Sequence, residues 1–188
     1  IKYAKEFGYV IKLLGVAKNT EDGIEVKVHP MLIPNNHPLA NVNDAFNAVF
    51  VHGKAMDDAM FMGRGAGQMP TASAVVGDII DVCRNIVHDS CGRIGCCCYK
   101  NLEVKDITDT KSKFFLRLEV ADKQGVLANI ASVLGNSGVS IAQVVQKSGK
   151  DGVAELVIIT AEVLEKNFND AMAVFKGLSA VKNIAGVI

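Results

Sequence analysis

Apolar and polar positions fall into two successive rhythms along the chain, with an aperiodic stretch between them. Val10 to Ala17 and Ile24 to Val28 are β-rich runs separated by Asn19-Thr20-Glu21-Asp22-Gly23, a turn-forming cluster, and together they predict a hairpin. Pro30, Pro34 and Pro38 argue against further regular pairing, so Met31 to Ala40 is expected to cross the surface in an extended form. Short strands are expected at Ala48 to His52 and Ala59 to Met62, the second running into Gly63-Arg64-Gly65-Ala66-Gly67. Pro70 and Thr71 then open a helix. Its apolar positions, Ala72, Val75, Val76, Ile79, Ile80, Cys83, Ile86 and Val87, recur in steps of three and four and form one stripe, so a sheet-plus-helix arrangement is expected.

The second rhythm is clearer. Phe114 to Val120 alternates apolar residues with Arg117 and Glu119, as a half-buried strand does. After Asp122 and Gly125, the spacing of Val126, Leu127, Ile130, Ala131, Val133 and Leu134 predicts a helix ended by Gly135 and Gly138. Val139 to Gln146 and Val153 to Thr160 read as strands around the turn Gly149-Lys150-Asp151-Gly152. Leu164, Phe168, Ala171, Phe175 and Leu178 mark a second helix, and Val181 to Ile188 a last strand. The order strand, helix, strand, strand, helix, strand is the ferredoxin-like βαββαβ arrangement, with two helices on one face of an antiparallel sheet. The fold class is therefore α+β. The expected division is 1–90, a linker over 91–112 where periodicity lapses, and 113–188.

With 49% hydrophobic and 21% charged residues in 188, the chain has the material for packed cores and is not disordered. Twenty basic residues against twenty acidic ones give no net charge, which speaks against a nucleic-acid partner. No apolar run approaches the ~18–20 residues of a membrane span, and no membrane association is expected. The chain opens at Ile1 within what reads as a helical turn, as a truncated or cleaved product would. Five cysteines, three of them consecutive (Cys96, Cys97, Cys98), do not suit a secreted disulfide framework, so a reducing cytoplasm is the expected location. Consecutive cysteines also present their sulfurs poorly to one tetrahedral ion, and no metal site is expected from them with Cys91. His29, His37, His52 and His88 are scattered, with no nucleophile or carboxylate constellation around them.

Particular motifs carry a family resemblance. Asp122-Lys123-Gln124-Gly125-Val126-Leu127, followed by Gly138-Val139-Ser140-Ile141, resembles the turn and second strand of an ACT domain, a regulatory module of amino-acid metabolism; Gln124 stands where many members have proline. Tyr3 to Gly15, His37-Pro38-Leu39-Ala40 before Phe46-Asn47-Ala48-Val49, and Gly63-x-Gly65-Ala66-Gly67-x-x-Pro70-Thr71-Ala72-Ser73-Ala74-Val75 with Asp78 resemble the C-terminal part of the substrate and dimerisation domain of homoserine dehydrogenase. In bacterial members an ACT domain follows in this order.

The resemblance implies an NAD- or NADP-dependent enzyme interconverting aspartate semialdehyde and homoserine, with threonine as effector and a homodimer as the assembly. It also implies that the Rossmann domain, an acidic substrate ligand and the catalytic lysine lie upstream. Lys2, Lys5 and Lys12 fall outside that catalytic motif, so no catalytic residue is expected here and the chain alone should not transfer hydride.

Taken alone, Gly63, Gly65 and Gly67 read first as a plain strand-to-helix turn, and second as a loop whose amides receive an anion or polar ligand group. By resemblance, Gly67 and then Gly65 approach the nicotinamide cofactor, while Thr71 is expected to cap the helix. The turn containing Asp122, Gly125, Val126 and Leu127, with Asn129 one helical turn inside, offers free amides for a carboxylate and polar groups for an ammonium or hydroxyl. The plainer reading is a capping Asp122 and a solvated Asn129. The resemblance adds Ser140 and Ile141 as the neighbouring strand edge. A stand-alone amino-acid-sensing or dimerisation module is the alternative function.

Overall fold

A computed structural model of the chain describes residues 1–92, 95, 101–148 and 151–188. The run of cysteines at 96–98 lies outside the described residues. The chain divides into two compact units, Ile1–Lys12 with Ile33–Asn101, and Leu13–Leu32 with Leu102–Ile188.

The first unit begins with helix α1 (Lys2–Glu6), whose Tyr3 and Ala4 are buried. Strands β1 (Tyr9–Thr20) and β2 (Gly23–Pro34) form a two-stranded ribbon that is longer than the expected hairpin. The prolines do not end it at Val28. In a two-stranded ribbon every second N–H points away from the partner, and Pro30 and Pro34, four positions apart, share one side of the strand. The ladder therefore tolerates both. Pro38–Asn41 forms a short 3-10 turn, capped where His37 Nδ1 accepts the Leu39 N–H at 3.2 Å.

Strands β3 (Phe46–Gly53) and β4 (Asp57–Arg64) pair in antiparallel register from Phe46↔Arg64 to Gly53↔Asp57. Helix α2 (Gln68–Val87) follows. Its apolar stripe is present but not covered: no residue of α2 is buried, and Val75, Val76, Ile79, Ile80 and Ile86 are all exposed. Periodicity fixes which face of a helix is apolar; it does not supply the surface that covers it.

The second unit holds a four-stranded antiparallel sheet in the order β10 (Val181–Val187), β6 (Phe115–Ala121), β8 (Val153–Thr160), β7 (Ile141–Ser148). Leu116, Leu118, Val120, Ala154, Leu156 and Ile158 point to one face. They pack against Val126, Ile130 and Leu134 of α3 (Val126–Asn136) and Phe168, Ala171 and Phe175 of α4 (Glu165–Gly177). This is the expected ferredoxin-like core. The other face carries Arg117 and Glu155, ion-paired at 3.2 Å.

Helix α3 stops where Gly138 takes φ +73: the Val139 N–H reaches Leu134 O at 2.8 Å and the Gly138 N–H reaches Gly135 O at 3.0 Å, a Schellman closure with Val139 and Leu134 sharing the core. Strand β7 accordingly starts at Ile141, two residues later than expected.

The described residues from 101 to 112, within the segment expected to be a linker, carry regular structure. Val104 bridges Ile24, Ile107–Asp109 forms a 3-10 turn, and β5 (Lys111–Ser112) pairs with β9 (Val163–Leu164). The Asp106 carboxylate accepts hydrogen bonds from the Thr108 hydroxyl and N–H, which hold its pKa below the usual carboxylate range. Most of the β1–β2 ribbon, Leu13–Leu32, belongs to this unit, where Ile24 exchanges backbone hydrogen bonds with Glu103 and Lys105.

Candidate functional site

The glycine loop joins β4 to α2, and its last glycine has a local physical cause. Gly67, the residue before the helix, sits at φ +125, ψ 146, a region essentially closed to residues with a Cβ. Its carbonyl accepts the first helical bond, from Thr71 N at 3.1 Å. Thr71 is thus the fourth helical residue and not the cap. The helix opens at Gln68, two residues before Pro70, and it tolerates Pro70 as its third residue because an N–H there would have had no helical partner in any case.

At Gly65 a Cβ would stand 2.1 Å from Asn47 Nδ2 and 2.9 Å from Asn47 Cγ, so a side chain there would make the exposed end of Asn47 swing aside. Asn47 carries no sequence signal of its own; the pairing of β3 with β4 brings it in. Both glycines are exposed, and the amides of Gln68 and Met69 precede the first helical bond. The loop can therefore receive a polar or anionic group on bare backbone. Lys12 takes a structural part, donating to Val42 O and to Asn43 Oδ1 at 2.8 Å.

The second candidate is the turn between β6 and α3. Asp122 N–H donates to Gly152 O at 2.8 Å, Gly125 adopts φ +82 immediately before the helix, and Asn129 N–H closes the first helical bond to Gly125 O at 3.0 Å. No side chain caps α3, so Asp122 does not act as the helix cap. Its carboxylate is exposed, as are Leu127 and Asn129, while Val126 is buried in the core. Leu127 and Ala128 amides open toward solvent at the positive end of the helix dipole.

Ser140 and Ile141 do not join this group within one domain. Ala121 pairs with Val153, whereas Ile141 pairs with Thr160, seven positions further along β8. At ~3.3 Å per residue the two ends lie roughly 23 Å apart. The reason is topological: a strand–helix–strand crossover returns the chain to the end of the sheet at which it began, so β7 starts level with Phe114, not with Asp122.

Among the described residues, no group of three or more His, Cys, Asp or Glu side chains converges as metal ligands. Among the described residues, no helix is long and apolar enough to cross a membrane.

Residues 1–80 match the family model of homoserine dehydrogenase, and residues 108–188 match that of the ACT domain. The chain carries a homoserine dehydrogenase segment followed by an ACT domain. Homoserine dehydrogenases of Pseudomonas aeruginosa and Neisseria gonorrhoeae are 39% and 41% identical to it over 188 residues. The match covers 96% and 97% of this chain and 43% of each relative. The crystal structure of a homoserine dehydrogenase from Thiobacillus denitrificans superposes with a TM-score of 0.89 at 39% identity, covering 100% of this chain and 44% of that one. A Staphylococcus aureus homoserine dehydrogenase gives 0.60 at 27% identity. The chain thus spans less than half the length of the relatives it matches. The homoserine dehydrogenase segment contains the glycine loop and α2 as far as residue 80, and the ACT domain contains the whole of the second candidate turn.

Proposed function

We propose that this chain works as the C-terminal part of an NAD(P)-dependent homoserine dehydrogenase, interconverting L-aspartate 4-semialdehyde and L-homoserine in threonine and methionine biosynthesis in the cytoplasm. The observation that carries this reading is the order of the two segments, combined with 39% identity and a TM-score of 0.89 to one solved homoserine dehydrogenase over the full chain. The chemistry supplied by the bound nicotinamide, whether NADP or NAD, is hydride transfer. Gly67, with Gly65 behind it, offers bare backbone at the start of α2 on which part of that cofactor rests, and both glycines fit the role by having no side chain to fill the approach.

The ACT domain binds threonine at the Asp122–Leu127 turn. The amides at the start of α3 receive the carboxylate, and Asp122 or Asn129 holds the ammonium or hydroxyl. A homodimer completes the site. β7 is an edge strand, and its Ser148 end lies level with the Asp122 turn, through Ala154 and Val120. Antiparallel pairing of β7 with β7 of a second copy therefore brings Ser140 and Ile141 of that copy to the turn of the first.

Calorimetric titration of the chain with threonine tests the effector: saturating heat that Asp122→Ala abolishes is expected, and no heat overturns it. Val144→Lys, on the exposed edge, should convert the dimer to monomer in sedimentation velocity and weaken threonine binding at least tenfold. Homoserine-dependent reduction of NADP or NAD by the full polypeptide tests the enzyme; its absence overturns that reading without touching the effector.

A further inference from the structure

The second unit contains a cavity of about 280 Å³ that neither candidate turn reaches. It lies between β2, the Ser112–Phe114 segment, the first turns of α4 and the end of β10. Its apolar wall is built around Phe114 and Phe168, whose rings stack with centroids 3.8 Å apart and planes 5° from parallel.

Its polar wall holds Lys27, which is only 9% exposed. The Lys27 ammonium donates to Ser112 Oγ at 2.8 Å, and no described carboxylate comes within ion-pair distance of it. Glu25, two positions earlier on the same face of β2, is taken by Lys105 at 3.7 Å. An ammonium withdrawn from water with one neutral partner is a costly arrangement, and an anion beside it would relieve that cost. The other ionisable groups on the lining are His29, Lys113 and Glu165. His29 adds a second unmet need, since its Nε2 is sealed from solvent without a partner while Nδ1 faces Pro30 O at 3.0 Å.

We propose that this cavity binds a small monocarboxylate with a short apolar tail, the Lys27 ammonium and Ser112 hydroxyl taking the carboxylate and the Phe114–Phe168 stack taking the tail. The volume sits at the lower edge of the ~300–1,000 Å³ of drug-sized sites, which suits a molecule of a few heavy atoms and not a nucleotide. One carboxylate satisfies the buried charge, while Glu165 on the same lining disfavours a second. The site is independent of the threonine reading, because it shares no residue with the Asp122 turn.

The test uses isovalerate and isopentylamine, which share the branched tail and differ in head group, followed by amide NMR on the intact chain. Isovalerate should shift Ser112, Phe114 and Phe168 saturably at millimolar concentration, and isopentylamine should not. Lys27→Met should weaken isovalerate binding at least tenfold with an unchanged far-ultraviolet spectrum, and Ser112→Ala at least threefold. Ser112→Ala removes a single hydroxyl and decides the matter if the lysine variant does not fold. Equal shifts from both probes, no shift from isovalerate, or full binding by the folded variants would each overturn the proposal.

Discussion

Gly125 shows how one backbone angle shapes the ACT turn. At φ +82, with nothing within 4 Å of where a Cβ would stand, the penalty for Gly125→Ala is conformational and not steric. A left-handed residue costs about 1 kcal/mol more for alanine than for glycine, so urea unfolding should register a loss of about that size. Thr160 makes a different case, because it is fully buried and its hydroxyl oxygen accepts the Phe114 N–H at 2.9 Å. Thr160→Val preserves shape and orphans that N–H, which should lower stability by about 1–3 kcal/mol in the same measurement. Gly67 was legible as a residue that needs bare backbone. The neighbour of Gly65, Asn47, was not, since nothing local ties position 47 to position 65. Lys27 was equally silent: as one cation in an alternating strand it looks solvated, and only tertiary packing withdraws it from water.

Elements with a sustained period were the most readable. Strand β8 matched its apolar run end to end, and the helices of the ACT domain followed their three- and four-residue steps. Two-residue strands such as β5 and β9 carry too few positions to form a pattern, and the ribbon through Pro30 and Pro34 runs where proline rules alone place none. Helix α2 separates amphipathic pattern from burial. Ile79 is 55% and Ile86 63% exposed, so replacing both with Glu should change the stability of this chain by no more than about 0.5 kcal/mol per site. Phe175→Ala, in a position with no exposed surface, should cost about 3–5 kcal/mol. Thermal unfolding of the two variants side by side checks the contrast. The same glutamates should raise solubility, since they interrupt a contiguous apolar stripe.

At the scale of the whole molecule, the cut between units does not follow a single point in the chain. Leu13–Leu32 lies with the ACT unit, held in part by the Ile24 hydrogen bonds to Glu103 and Lys105. Gly23 sits at φ +134, and a Cβ there would meet Glu103 O at 2.7 Å. Gly23→Ala should therefore loosen this junction, and hydrogen exchange at the Ile24 and Lys105 amides should accelerate at least tenfold while the β6 and β8 amides keep their protection. Sequence rhythm located the ribbon as a hairpin but not the unit it joins, because that depends on pairing across some eighty positions. The crossover that sends Ser140 to the far end of the sheet reaches furthest. If one subunit must lend those residues to another, the affinity for threonine is coupled to self-association by mass action, and diluting the protein should blunt its response to a fixed dose of the amino acid.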